Sequence, residues 1–557
     1  MTAFSQNPAA APNSTAAPAG VIKEFTFAES AIFPGTTRKV TVFIPAQYDG
    51  SKPACVYVRQ DGYNAEEKPL LEKMIAAGEI PVLIGVFVQP GVLKAPVAGQ
   101  FERRNRCFEY DGVGDRFARF INDEIFPFVA QSCGVKLSAD PNDRAISGAS
   151  SGGISAFNAA WERPDLFRRV YANSGSFVAF RGGNELPTLV RKFEPQPVRA
   201  YLTTATHDME NCVGDWFLID QEMDKALKFS GYDYEFHIVD GKHCAGWIEH
   251  FSDAMRFIWK GWPQPVKPGT GAPRVRDVVV DNAPWEPVPG DFQAPRGPAC
   301  NSKGDIFFVD VKTNRICRIG LDGSLSVFAS DAAQASSLFV GPKDELYTVS
   351  EATGNVLVYS AEGKASVYAS GIKGAYGLAL PFGGIYISAP GVSAEAGSTL
   401  WYLKDGTKTA IPAPDIKGAT GLALRPDHWL LSIGDGRSKW VFSCQVQPDG
   451  SLINQERFFG LHVPDWEDDA GAQSVCYALE NRLLVATRFG VQICADDGPS
   501  QVILPMPDRR RVMGVCLGGP GLNTLYAFCD GKAWKRPVKL HAAGAFTPAV
   551  TLKATPL

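Results

Sequence analysis

The chain has 557 residues, and one hydrophobic core rarely grows past about 250–300, so at least two domains are expected. Hydrophobic residues make up 45% and charged ones 20%, the balance of a folded soluble protein rather than a disordered one. A net charge of −4 gives no electrostatic footprint for nucleic acid or an anionic membrane, so neither is expected as a partner.

Residues 1–20 (MTAFSQNPAAAPNSTAAPAG) have no basic start and no apolar stretch, and read as a disordered Ala/Pro/Ser tail rather than a signal peptide. No run of about 18 apolar residues occurs that would span a membrane. A cytoplasmic protein is the default expectation, or a secreted one if a leader is missing. The 12 cysteines are scattered, without C-x-x-C pairs or zinc spacing, and are expected as buried free thiols.

From 21 to 262, short apolar runs alternate with helical patterns. Lys39–Pro45, Ala54–Arg59 and Val82–Val88 read as strands, the last two apolar on both faces. Asp115–Ala130 and Asp220–Phe229 carry helical spacing. The alternation predicts a mostly parallel α/β sheet.

Within this region Gly148-Ala-Ser-Ser-Gly152 is a G-x-S-x-G elbow between a strand-like stretch (143–147) and a helix-like one (154–162). Glycines flank it symmetrically when Ser150 is the nucleophile, whereas promoting Ser151 would put the Cβ of Ala149 at the tight entry. Ser151 is then expected to give its backbone N–H to the oxyanion hole. Of the four histidines in this region, His237 falls in a strand pattern and His250 in a helical one. His243 lies in a loop between them, where a base belongs. The acid should end the preceding strand, Val198–Ala205; Asp208 fits, with Glu210 and Asp215 as competitors. The second oxyanion amide is expected from Asp61 or Gly62. Arg106 and Glu109, in the polar stretch 103–111, are candidates for orienting substrate.

Residues 263–284 are rich in Pro and Gly and read as a linker. Beyond it, from 285 to 557, six strand-like cores begin at 305, 345, 384, 429, 482 and 524, roughly 40 to 53 residues apart, about one propeller blade each. Acidic-Gly pairs at 322–323, 362–363, 405–406, 449–450 and 497–498 suit tight hairpins. The expected architecture is an α/β domain followed by a six-bladed β-propeller.

The first domain resembles the esterase D/enterochelin esterase-like α/β hydrolases, a group that includes feruloyl and acetyl-xylan esterases. The likeness rests on Ile32-Phe-Pro-Gly-Thr36, Gln60-Asp-Gly62, Arg106-Cys-Phe-Glu-Tyr-Asp111, the elbow, the Asp208 loop and Asp240-Gly-Lys-His243. It implies a triad of Ser150, Asp208 and His243, and it departs at Lys242, where the group usually has a second glycine. The second domain resembles the SMP-30/gluconolactonase/regucalcin propellers through Gly297-Pro298, Gly421-Leu-Ala-Leu-Arg-Pro-Asp427, 484–491 and Leu517-Gly-Gly-Pro520. That family implies a divalent metal held by Glu, Asn and Asp, but the corresponding places here read Arg296, Thr420 and Gln473.

Losing the carboxylates and gaining a guanidinium argues against a metal. The expectation is therefore a cofactor-free serine esterase, acting on small or carbohydrate-linked esters, with an accessory propeller. A bifunctional esterase and metal-dependent lactonase, or a non-catalytic carbohydrate-binding scaffold, are the alternatives. The acyl and alcohol parts of the substrate, and the oligomeric state, are not encoded legibly.

Overall fold

The structure, a computed structural model, describes residues 19–393 and 395–555. Residues 1–18 of the expected tail lie outside it. The chain divides into two compact units. The first holds the chain up to Pro187, with Gln196–Lys228 and Tyr232–Gly269; the second holds Thr188–Pro195, Phe229–Gly231 and Thr270 onward.

The first unit is built on an eight-stranded sheet. Its strands are β1 (Val21–Phe27), β2 (Arg38–Ile44), β3 (Cys55–Gln60), β4 (Leu83–Val88), β5 (Arg144–Ala149), β6 (Arg169–Asn173), β7 (Arg199–His207) and β8 (Asp233–Lys242), in the order β1-β2-β4-β3-β5-β6-β7-β8. The first two join antiparallel, and from β4 to β8 every neighbour is parallel. Parallel neighbours need crossovers, and helices supply them. These include α1 (Glu67–Ala76), α2 (Ser151–Glu162) and α3 (Trp216–Phe229), while α4 (Trp247–Trp259) follows the last strand.

Every residue of β4 is buried, as is all of β3 except Arg59, which explains their nearly continuous apolar character. On α4, Trp247, Phe251, Met255 and Ile258 share one face and pack on Tyr57, Phe87, Tyr171 and Tyr201 of the sheet. Each fully buried large apolar side chain there stabilises by about 1.5–3 kcal/mol. The helical pattern at 115–130 is not one α-helix. Its middle, Phe120–Ile125, is wound as a π-helix with Phe120, Ile121 and Ile125 in the core. This irregular winding leaves the apolar spacing close enough to an α-helix to be read as one.

The second unit contains six four-stranded antiparallel sheets. Their first strands are Pro295–Cys300, Leu338–Val340, Tyr376–Ala379, Ala419–Leu424, Val475–Ala478 and Val512–Gly518, each touching the next and the last touching the first. They therefore ring a common axis, as in a six-bladed propeller. The six strand-like cores of the sequence are the second strands of the blades, such as Ile306–Asp310 and Arg482–Thr487, which are buried throughout. All five acidic-Gly pairs join third to fourth strands, and the glycine has positive φ in each.

The sixth blade needs no such hairpin. Its outer strand is Glu286–Pro287, taken from the start of the domain and paired to Lys532–Pro537. Among the described residues, no helix is long and apolar enough to cross a membrane.

Candidate active site

Ser150 stands between the end of β5 and the first residue of α2, with φ 58° and ψ −125°. A non-glycine residue is strained at positive φ, and here the surroundings enforce it. Its N–H donates to the Asn173 carbonyl at 2.9 Å. Its own carbonyl accepts from Gly153 at 2.9 Å and Ser176 at 3.0 Å. The glycines are steric necessities: a Cβ on Gly148 would lie 2.4 Å from the Gly152 backbone, and one on Gly152 would meet Asp61 at 3.1 Å. Ser151 opens the helix, so its N–H has no intrahelical acceptor.

His243 follows β8 directly, and its Nδ1 is hydrogen-bonded to Asp208 Oδ1 at the end of β7. The Asp208 carboxylate is fully enclosed. Burial alone would raise its pKa. Hydrogen bonds from His243, Ser174 and the Met209 amide outweigh burial and hold it below the usual 3.8, so it stays ionised. The competing acids have other employment. Glu210 is exposed in a small hairpin, and Asp215 accepts the Leu218 N–H at 3.0 Å at the start of α3.

The elbow and the histidine loop share their supports. Asn173, which accepts from Ser150, donates its side-chain amide to the Ala245 carbonyl at 2.9 Å, and the Cys244 N–H donates to Ser174 Oγ at 3.1 Å. Ser150 Oγ lies 3.3 Å from Ser176 Oγ, which accepts the Trp216 indole N–H at 3.0 Å. The Trp216 ring in turn stands edge-on to His243 at 6.0 Å. Ser150 Oγ is thus parked on Ser176 rather than on the imidazole.

Asp61 and Gly62 both have positive φ, 62° and 85°. The Gly62 N–H donates to the Val88 carbonyl at 3.2 Å, prolonging the β3–β4 pairing, whereas the Asp61 N–H reaches only the Tyr110 hydroxyl at 3.3 Å. Arg106 grips the Asp61 carboxylate at 2.7 and 2.8 Å and donates to the Ala149 carbonyl at 3.3 Å, tying this loop to the elbow.

Glu109 is not at the site surface. Its side chain is fully buried and accepts from Arg38 at 2.6 and 3.0 Å, from Asn105 and from the Gly91 amide. A substrate-orienting role for it is corrected to that of the anion in an internal ion pair, formed across 71 residues of sequence.

Three site residues were not foreseen. Ser176 and Trp216 complete the wall between Ser150 and His243. Asp111 is wholly buried behind Ser151. Burial lifts its carboxyl to about 6, against the pull of the Ser151 hydroxyl, the Cys107 thiol and Arg106. Ser176 was findable, because Asn173-Ser-Gly-Ser176 ends a strand beside the elbow, and Asp111 because it closes the polar stretch 103–111; Trp216 left no local signal.

The places corresponding to propeller metal ligands do not fit a divalent cation. Arg296 is a cation, the Thr420 hydroxyl donates to the Ala472 carbonyl, and Gln473 Oε1 accepts the Tyr376 hydroxyl at 2.9 Å. No anionic oxygen remains among the three. Among the described residues no group of three or more His, Cys, Asp or Glu is placed to hold a metal.

Residues 30–258 match the family described as "Putative esterase", and residues 295–528 the "SMP-30/Gluconolactonase/LRE-like region". An iron(III) enterobactin esterase of Dickeya dadantii (strain 3937) is 27% identical over 232 residues, 39% of this chain and 49% of that protein. An uncharacterised Bacillus subtilis (strain 168) protein, YbbA, is 27% identical over 150 residues, 25% of this chain and 57% of its own length. The chain thus spans about half the length of the curated relatives it matches.

Among solved structures, a gluconolactonase from Xanthomonas campestris aligns with a TM-score of 0.42 at 18% identity, covering 48% of this chain and 93% of its own. An enterochelin esterase from Shigella flexneri aligns with a TM-score of 0.33 at 18% identity, covering 43% and 58%. Each half of the chain thus matches one family model, an esterase model in the first and an SMP-30/gluconolactonase/LRE-like model in the second.

Proposed function

We propose that the first domain is a serine carboxylic-ester hydrolase, a reading carried by one observation: a strained, helix-capping Ser150 beside a His243–Asp208 pair. In this mechanism His243 Nε2 takes the Ser150 proton as Oγ attacks the ester carbonyl carbon. The tetrahedral oxyanion is met by the Ser151 and Asp61 amides. Asp61 is preferred over Gly62 because its amide gives up only a long bond to a rotatable hydroxyl. The imidazolium then protonates the departing alcohol, and water, deprotonated by the same base, releases the acid. Asp208 remains charged throughout and steadies the imidazolium.

Substrate binding is required to draw Ser150 Oγ from Ser176 to His243, since catalytic hydrogen bonds often tighten only in the substrate complex. The enterobactin esterase relative supports an ester as substrate, and small or carbohydrate-linked esters are the proposed class. The propeller is proposed as an accessory binding domain rather than a metal-dependent lactonase, because its donor set is cationic and neutral.

The test is p-nitrophenyl ester hydrolysis by wild type and Ser150→Ala, with fluorophosphonate labelling of both. Turnover is expected to fall by about 10⁴-fold or more, and labelling to vanish. Full turnover in the variant, or a wild type that resists the probe, would overturn the proposal.

A further inference from the structure

The first strands of the blades enclose a shaft along the propeller axis, a cavity of about 150 Å³. Its walls mix apolar and polar surface, the apolar share slightly the larger, with Leu338, Phe339, Leu422, Val475 and Leu517 among them. At the ends of these strands the shaft is closed in by Ala542–Thr547, a segment held there by the Ala543 N–H donating to Tyr477 and the Val550 N–H donating to Pro426. At the strand starts the rim is polar. Arg296 immediately precedes the lining residue Gly297, Tyr376 lines the shaft itself, and Gln473 precedes the lining residue Ser474.

The rim carries two guanidinium groups with unmet capacity. Arg296 Nε and Arg511 Nε are buried with no hydrogen-bond acceptor among the described residues. Arg296 has one carboxylate near it, Asp530 at 3.7 Å, whose side chain is 73% exposed. Arg511 reaches only the Gly471 carbonyl, at 3.4 Å. The neighbouring carboxylates Glu467 and Asp469 are taken by Arg488 at 3.1 and 3.0 Å, and Glu351 is bonded by Ser336. Burial, then Arg488, lowers the pKa of Arg511; Asp469 and Glu467 oppose this, and Arg296 adds a smaller lowering. An anion between Arg296 and Arg511 would relieve both the repulsion and the missing acceptors. Tyr376, whose phenol both arginines act upon, and Gln473, which keeps its amide nitrogen as a donor while Oε1 accepts from Tyr376, stand at the same rim.

We infer that the propeller axis binds a small organic carboxylate, its anionic head between Arg296 and Arg511 and its apolar body in the shaft. The shape of the site chooses this class over an inorganic oxyanion, which would leave the shaft unfilled. An apolar cavity of about 150 Å³ is large enough for a benzene ring, so benzoate joins the required head to a body that fits. The site thus stands where the family places a metal, with the charge of the ligand inverted.

Isothermal titration of the full chain with benzoate, benzamide, inorganic phosphate and Ca²⁺ tests this directly. Benzoate is expected to bind wild type, and benzamide, its neutral counterpart, at least about tenfold more weakly. Arg296→Gln and Arg511→Gln should each weaken benzoate by about tenfold or more while the circular dichroism spectrum and thermal unfolding of the full chain stay unchanged, which certifies that the propeller is folded. Undetectable benzoate binding would overturn the inference, as would equal affinity for benzamide or equal affinity in both variants. Phosphate binding as tightly as benzoate would remove the shaft from the argument, and Ca²⁺ binding lost in Arg296→Gln would overturn it in favour of a metal.

Discussion

The elbow at Ser150 and the rim at Arg296 are both places where strand ends converge on a cavity or cleft, yet they hold charge in opposite ways. At the elbow the charged groups, Asp111 excepted, are matched: Asp208 by His243, Asp61 by Arg106, Glu109 by Arg38. Matching of this kind fixes positions, because a buried charge that loses its partner costs several kcal/mol. At the rim, guanidinium nitrogens are left without acceptors. A site completed internally is organised to stabilise charge that appears transiently, as in a reaction. One left incomplete is organised to take a ligand that brings its own charge.

The largest expected breach of this contrast comes from Asp208→Asn. Removing the charge that orients His243 should lower ester turnover by about 10³–10⁴-fold with little loss of substrate affinity, measurable as a fall in kcat at near-constant KM. A loss below tenfold would mean that His243 does not need this partner.

Asp111 sharpens the comparison, since it is the exception at the elbow: buried, and poorly compensated. Its folded pKa of about 6 exceeds the ordinary 3.8, so between those values the native state holds the extra proton. Stability therefore falls as pH rises through that window, by about 3 kcal/mol at most above pH 6. Asp111→Asn should raise the melting temperature at pH 8 and leave it nearly unchanged at pH 4. Equal effects at both values would show that its carboxyl is not strained by burial.

The smallest effect is expected from metal removal. Excess EDTA should leave ester hydrolysis unchanged, and added Ca²⁺ should elicit no gluconolactone hydrolysis. Chelator-sensitive lactone hydrolysis would restore the metal to the axis and erase the contrast.

The parts that were legible in the sequence are those where local composition reports burial. The second strands of the blades and β3 and β4 are mostly enclosed on both faces and so read as largely apolar runs. The elbow is legible because Gly148 is demanded by its contact with Gly152, four residues on. The first strands of the blades were not. They crowd at the axis, where a Cβ on Gly297 would lie 2.2 Å from Ser337, so glycines and short spans replace the usual strand signature. Glu109 misled because its partner Arg38 lies far away in sequence, and an isolated acidic residue in a polar stretch looks the same whether it faces solvent or core.

The closure of the sixth blade has a temporal consequence. Glu286–Pro287 finds its partner only at Lys532–Pro537, so the ring cannot shut until residue 537 has been synthesised. Until then a growing propeller exposes the unpaired edge of an open arc, the kind of edge that invites wrong pairing. Lys532–Pro537 thus carry the step that turns five and a half blades into a closed circle.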